Sequence, residues 1–112
     1  MFINGKEIIN LTPHTVTILD RNTMQPVAVF PSEGNARCKQ TTEIFGNIGE
    51  IELSRTTFGE VENLPPFEEG KFYIVSRIVM SALQCRPDLL VPNELVRDEN
   101  GVIIGALSLA IN

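Results

Sequence analysis

Short apolar runs, separated by polar breaks that contain glycine or proline, make up most of the chain. Residues 72–75 form one aromatic and β-branched run, which is typical of a buried strand. Ser76 follows at once and can cap the N-terminus of a helix. Apolar residues then recur at helical spacing, at Ile78, Val79, Ala82 and Leu83. Because Pro87 cannot continue a helix, the pattern predicts a strand that leads directly into one short helix.

The rest of the pattern predicts strands joined by turns. Asn100-Gly101 lies between two apolar runs and is typical of a hairpin, while Pro65-Pro66 excludes a helix or a central strand from residues 64–70. Gly59 is expected to form a bulge, and Gly105 to allow another backbone to approach a central last strand. The predicted strands cover residues 7–11, 15–19, 26–30, 36–41, 43–45, 50–53, 55–62, 72–75 and 102–110.

This element count predicts the fold class. Many short strands against one helix indicate a mainly β protein of the α+β class. We expect a compact antiparallel barrel or sandwich of short strands, with the helix across one face or end. The 112 residues predict a single domain over positions 1–112.

Composition excludes several classes of partner. The formal net charge of -5 argues against a broad basic face for long nucleic acids. No apolar run approaches the roughly 20 residues of a membrane span, so no membrane partner is expected. Because no export signal is visible, Cys38 and Cys85 are expected to be free thiols in a reducing cytoplasm.

The sequence predicts no metal site and no cofactor. It contains one histidine and two cysteines, without CxxC or HxxxH spacing. The glycine-rich motifs GxxxxGK and GxGxxG, which hold phosphates, are missing. Any serine–histidine or cysteine–histidine catalysis would have to use His14, and no neighbouring residue marks an activated nucleophile.

Arg77 is the most unusual charge in the pattern. It falls in the first turn of the predicted helix, where the macrodipole disfavours a cation by a few tenths of a kcal/mol up to about 1 kcal/mol. One explanation is a surface ion pair with Glu68 or Glu69, which would contribute little. The other is that Arg77 and Ser76 hold a bound anion at the start of the helix.

For each of the other polar candidates there is also a structural explanation and a ligand-binding explanation. Thr12 and His14 flank Pro13 and either satisfy backbone groups there or line a pocket. Arg86 and Asp88 flank Pro87 and either stabilise the end of the helix and the next turn or contact a ligand. Arg37 is either solvated or faces the pocket. The predicted ligand-binding set is Thr12, His14, Arg37, Ser76, Arg77, Arg86 and Asp88.

Several segments together resemble known sequences: Asn-Leu-Thr-Pro-His-Thr-Val at 10–16, Tyr-Ile-Val-Ser at 73–76, Arg-Pro-Asp-Leu-Leu-Val-Pro at 86–92, and 97–105. They are similar to a group of small proteins encoded by bacteriophages and bacteria, mostly described as hypothetical. By analogy of class, a small phage protein without catalytic residues looks like the viral sponges that sequester nucleotide second messengers of bacterial defence systems.

The resulting leading hypothesis is a non-enzymatic binding protein that sequesters a small phosphorylated, nucleotide-derived signal in the cytoplasm. A chain this small buries a ligand well at a subunit interface, so a homo-oligomer is expected. The alternative is a structural or protein-interaction module, such as a virion accessory protein or an inhibitor of a host protein. The third hypothesis is a small hydrolase that uses His14.

Overall fold

The computed structural model describes residues 1–112 and contains nine strands and one helix. Strand residues account for 55% of the chain and helical residues for 5%, so the predicted mainly β class with one helix is confirmed. The elements are β1 (Phe2–Ile3), β2 (Lys6–Asn10), β3 (Val16–Leu19), β4 (Pro26–Phe30), β5 (Arg37–Ile48), β6 (Ile51–Glu62), β7 (Lys71–Ile74), α1 (Arg77–Ala82), β8 (Leu89–Arg97) and β9 (Ile103–Ile111).

Seven strands form one sheet, which curls into a half-barrel, and the other two form a separate small sheet. The order in the large sheet is β1-β2-β7-β8-β9-β3-β4. The hairpin expected around Asn100-Gly101, β8–β9, is antiparallel, and so is the hairpin β3–β4. The sheet is mixed, however, because β2–β7, β7–β8 and β3–β9 are parallel pairs. The expectation of antiparallel pairing therefore holds only for part of the sheet.

The predicted strand-to-helix step is confirmed, with a correction to the buried face of the helix. The Ser76 side chain accepts a hydrogen bond from the Val79 N–H at 3.3 Å and caps α1. Val79 is buried and half-buried Leu83 packs against the core, as expected. Ile78 and Ala82 are exposed, and half-buried Met80 packs against the core in their place. A six-residue helix has fewer than two turns, so its apolar stripe does not determine which side faces inward.

Helix α1 connects two neighbouring parallel strands, β7 and β8. Parallel strands cannot be joined by a tight turn, and a crossover helix is the usual solution.

No helix is long and apolar enough to cross a bilayer.

The centre of the half-barrel, at β7 and the start of β8, is buried on both faces. Alternate residues of β7 and β8 point to opposite sides, which explains their continuous apolar runs. One cluster joins β3, β4, β7 and β8 and consists of Val16, Phe30, Ile74 and Leu90. The other includes α1 and consists of Leu11, Ala36, Tyr73, Val75, Val79, Leu89 and Val91.

Strands β5 and β6 form a long antiparallel hairpin, which we call the arm (residues 37–62). The sequence pattern predicts several short strands here, but the two strands are continuous over 12 residues each. Register shifts occur between Cys38 and Gln40 and between Ile44 and Gly46. At the first shift, one residue of β5 lies opposite two residues of β6, and Gly59 is one of these two. The predicted bulge at Gly59 is therefore confirmed.

Strand β9 lies between β8 and β3, which confirms that the last strand is central. A Cβ atom at Gly105 would lie 2.9 Å from the Leu19 Cγ atom and 3.0 Å from the Thr17 carbonyl oxygen. Both distances are shorter than ordinary contacts, so the predicted close approach of another backbone at Gly105 is also confirmed.

Arg86 and Asp88 form a buried ion pair just before β8. The Arg86 Nε and Nη2 atoms donate to the two carboxylate oxygens of Asp88 at 2.8 Å and 2.6 Å, and Nη2 also donates to the Pro65 carbonyl oxygen. The hydrogen bond to Asp88 raises the pKa of the Arg86 guanidinium above its usual value. This bidentate pair joins the 64–70 connection to the residue directly before β8.

We expect Asp88→Ala to lower the free energy of unfolding by about 3 kcal/mol, measured by urea denaturation. The substitution leaves the mostly buried Arg86 guanidinium without its carboxylate. Arg21→Ala is the matched control, because it removes an arginine from the Arg21–Glu94 pair, whose side chains are 58% and 42% exposed. The control should change stability little. Equal losses in the two variants would contradict this structural role for Asp88.

Candidate ligand-binding site

A cleft of about 360 Å³ opens at the end of the large sheet where β2 and β7 finish, and we call it the main cleft. Its volume lies within the usual range for small-molecule sites. Apolar residues of β3, β8 and β9, together with Val75, form most of the wall: Val16, Val75, Val91, Pro92, Leu95, Ile103, Ile104 and Ala106. Polar residues also line it: Thr12, His14, Thr15, Thr17, Ser76 and Arg77.

Four of the seven predicted ligand-binding residues therefore meet in one cleft. Thr12 and His14 follow β2, while Ser76 and Arg77 follow β7. Because β2 and β7 are parallel neighbours, their carboxyl ends lie at the same edge of the sheet. These residues were predicted from two separate segments of the sequence, and the parallel pairing of β2 with β7 brings the segments together.

The loop that carries Thr12 and His14 is held by the buried side chain of Asn10. The Asn10 Nδ2 atom donates to the His14 carbonyl oxygen at 2.7 Å and to the Phe30 carbonyl oxygen at 2.8 Å. The Asn10 Oδ1 atom accepts from the Thr12 N–H at 3.0 Å and from the Thr12 hydroxyl at 2.6 Å. Both N–H donors and the oxygen acceptor of this carboxamide are thus hydrogen-bonded, as expected for a buried polar group.

The structure supports a different explanation for each of the residues Thr12 and His14. The single proton of the Thr12 hydroxyl is donated to Asn10 Oδ1 at 2.6 Å, with the His14 carbonyl oxygen also nearby at 3.0 Å, so this side chain satisfies groups around Pro13. The His14 imidazole forms no hydrogen bond within the chain and lies at the cleft. His14 is therefore the member of this pair whose side chain is available to a ligand.

Arg77 lies at the main cleft without an ion-pair partner. Of the two carboxylates considered for it, Glu68 pairs with Lys71 at 3.1 Å, and neither Glu68 nor Glu69 pairs with Arg77. The Arg77 Nη2 atom donates to the Asn93 side-chain oxygen at 3.2 Å. One neutral amide leaves most donors of the guanidinium free, so the surface-pair explanation for Arg77 is wrong.

Arg37 lies in a neighbouring cleft of about 260 Å³, which we call the second cleft. Thr12 and Ser76 line both clefts and separate them, and the base of the arm contributes Arg37, Cys38 and Gln40 to the second. The structure therefore brings Arg37 close to the predicted set but not into the main cleft.

Arg86 and Asp88 line neither cleft. Asp88 is fully buried, and its carboxylate is occupied by Arg86. Their position supports the first of their two explanations, which is stabilisation of the chain after the helix. No group of three His, Cys, Asp or Glu side chains is arranged to hold a metal ion.

Asn10 is the important residue that sequence reasoning did not select. Its signal is a single carboxamide between the apolar residues Ile9 and Leu11, directly before Thr12-Pro13. An asparagine in that position either interrupts a strand or is buried with every hydrogen bond satisfied. Only the curl of the sheet, which brings Phe30 within reach, decides between these outcomes.

We expect Asn10→Ala to lower the free energy of unfolding by about 2 to 3 kcal/mol, because the buried Phe30 carbonyl oxygen loses its donor. Asn47→Ala is the control, since Asn47 is exposed and its side chain forms no hydrogen bond. Urea denaturation measures both variants. A loss in Asn10→Ala no larger than in the control would contradict the role assigned to Asn10.

Asn10→Asp should show a pH-dependent loss of stability. An ionised carboxylate would face two carbonyl oxygens, which raises the pKa of the introduced group in the folded state. The deficit relative to the wild type is then largest at neutral pH and shrinks as pH falls through that raised pKa, because the protonated acid can donate. Urea midpoints of both proteins from pH 7 down to about 5 test the sign.

Comparison of the chain with protein-family models, with curated proteins and with solved structures found no match. The function is therefore inferred from the geometry of the two clefts and from the resemblance stated above.

Proposed function

We propose that this protein binds and sequesters a small phosphorylated, nucleotide-derived signal and does not transform it. The observation that carries the proposal is an arginine without an ion-pair partner, Arg77, at the edge of an apolar cleft of small-molecule size. The phosphate would contact Arg77, with Ser76 and His14 beside it. The apolar wall would receive the ring system of the ligand.

The choice of an anionic ligand follows from the charges around the cleft. The lining of the main cleft contains Arg77 and His14 but no Asp or Glu, although the chain carries five more acidic than basic groups. A guanidinium presents several donors in one plane and matches the oxygens of a phosphate. Because α1 has only six residues, we assign the attraction to these side chains rather than to the helix.

The choice of a ligand with an apolar ring follows from the wall opposite. Val16, Leu95 and Ile104 line the cleft, and Leu95 and Ile104 are about half exposed. Exposed apolar surface in a concave site is favourable for a flat, partly apolar ligand. Inorganic phosphate alone would leave this wall in contact with water.

The resemblance to phage and bacterial proteins supports a biological setting. We propose that the protein is phage-encoded, that it acts in the host cytoplasm, and that capture of a nucleotide immune signal serves anti-defence. This step is an analogy with viral sponges and is independent of the cleft geometry.

A second candidate function, a protein-interaction module, is favoured by the arm. Its exposed apolar residues include Ile44, Phe45, Ile48 and Ile51. Hydrolysis through His14 has less support, because no hydroxyl or thiol of the chain is hydrogen-bonded to the imidazole and activation of a nucleophile needs such a pair.

Isothermal titration calorimetry against cyclic dinucleotides and cyclic ADP-ribose isomers tests the proposal. We expect at least one to bind, and Arg77→Ala to weaken it by roughly 10-fold or more, which corresponds to loss of a charge-assisted contact. Arg21→Ala removes the same charge outside both clefts and should bind as the wild type does.

Absence of heat with every compound would contradict the nucleotide-signal proposal. Equal weakening in Arg77→Ala and Arg21→Ala would contradict the assigned site. Ligand released by heat denaturation and analysed by mass spectrometry should be unchanged, whereas a cleaved product would favour the hydrolase.

A further inference from the structure

We propose that the arm is a self-association element, and that the tip of the arm packs against the same surface of a second copy of the chain. This inference concerns a surface apart from the main cleft and does not depend on ligand binding. It rests on the exposed area of the chain, on the isolation of the arm, and on the pattern of side chains on its two faces.

The chain exposes more surface than a compact monomer of its mass. Its accessible surface is 7685 Å², whereas a folded monomer of 12.4 kDa is expected to expose about 6,100 Å². The radius of gyration is 16.9 Å, compared with about 13 Å for a compact domain of this length. The excess is about 1,500 Å², and the arm contributes to it because its two strands form a sheet separate from the half-barrel.

The arm is not stabilised by the rest of the chain over most of its length. It pairs with no strand of the large sheet, so both of its edges are unpaired. Only its base packs against the core, through Cys38 and Val61. A two-stranded hairpin is marginally stable in water on its own, and unpaired edges favour contact with another chain.

The side chains at the tip divide between two faces. On the face opposite Cys38 and Val61, four apolar residues lie close to the turn and form the outer arm face: Phe45, Ile48, Ile51 and Leu53. Ile48 and Ile51 are direct cross-strand partners, and their residues are 66% and 65% exposed. This face forms a contiguous apolar surface that the chain itself does not cover.

Charges beside this patch make it complementary to itself. Glu43 and Arg55 are cross-strand partners on the same face, and the Arg55 guanidinium lies 4.5 Å from the centre of the Phe45 ring. Glu43 forms no ion pair within the chain. In a two-fold arrangement each Glu43 can approach the Arg55 of the second copy while the apolar residues pack between them.

The area agrees with a second copy as the occupant. Two chains together expose about 3,000 Å² more than compact monomers would, which exceeds the roughly 1,200–2,000 Å² that a stable interface buries. An isologous contact also explains why one patch carries both the acidic and the basic residue.

Sedimentation velocity of the full chain at micromolar concentration tests the proposal. We expect the wild type to be a dimer, and Ile48→Glu/Ile51→Glu to raise the dissociation constant by at least ~100-fold, because like charges would replace the apolar contact. Phe67→Glu is the control: Phe67 is 55% exposed on another part of the surface and should leave the dimer intact. Far-UV circular dichroism verifies that each variant is folded.

A charge exchange gives a second, independent measurement. Glu43→Arg should weaken the dimer, and Glu43→Arg combined with Arg55→Glu should restore it, which a purely structural effect would not produce. A wild-type monomer would overturn the proposal and favour a different protein as the partner of the arm. A dimer that survives the double isoleucine substitution, or is lost equally in the Phe67 control, would also overturn it.

Discussion

One buried carboxamide stabilises the curl of the large sheet. Strands β2 and β4 lie at the second and seventh positions of the sheet, yet Asn10 at the end of β2 donates to Phe30 at the end of β4. In a flat sheet, strands five positions apart are separated by more than 20 Å. The hydrogen bond therefore forms only in the half-barrel, and the apolar contacts of Phe30 with Ile74 and Leu90 form with it.

The same carboxamide gives the main cleft its polar side. The chain has only residues 11–15 to pass from β2 to β3, which lie four positions apart. Asn10 holds this short crossing in a folded-back conformation through His14 and Thr12. A loop that satisfies its own backbone groups in this way can leave the His14 imidazole free. The hydrogen bonds of Asn10 thus stabilise the half-barrel and also hold the loop that lines the main cleft.

The sequence predicted the elements better than their arrangement. Local signals were sufficient for the cap at Ser76, the bulge at Gly59 and the turn at Asn100-Gly101, because each depends on a few neighbouring residues. Pairing of β2 with β7 joins residues more than 60 positions apart, and no local pattern encodes it. The antiparallel expectation therefore held only in part, while the β-rich class was predicted correctly.

The candidate site shows the same division. A cation in the first turn of a helix is a local anomaly, and it drew attention to Arg77, which lies at the cleft. Arg86 and Asp88 looked equally polar, but whether two charges two residues apart bind each other or a ligand depends on burial. Here the chain buries Asp88 next to Arg86, and a carboxylate that already accepts two charge-assisted hydrogen bonds has little to offer a ligand. The base of the arm also supplies Arg37 and Cys38 to the second cleft. The arm and this cleft therefore share residues, although the tip of the arm lies outside both clefts.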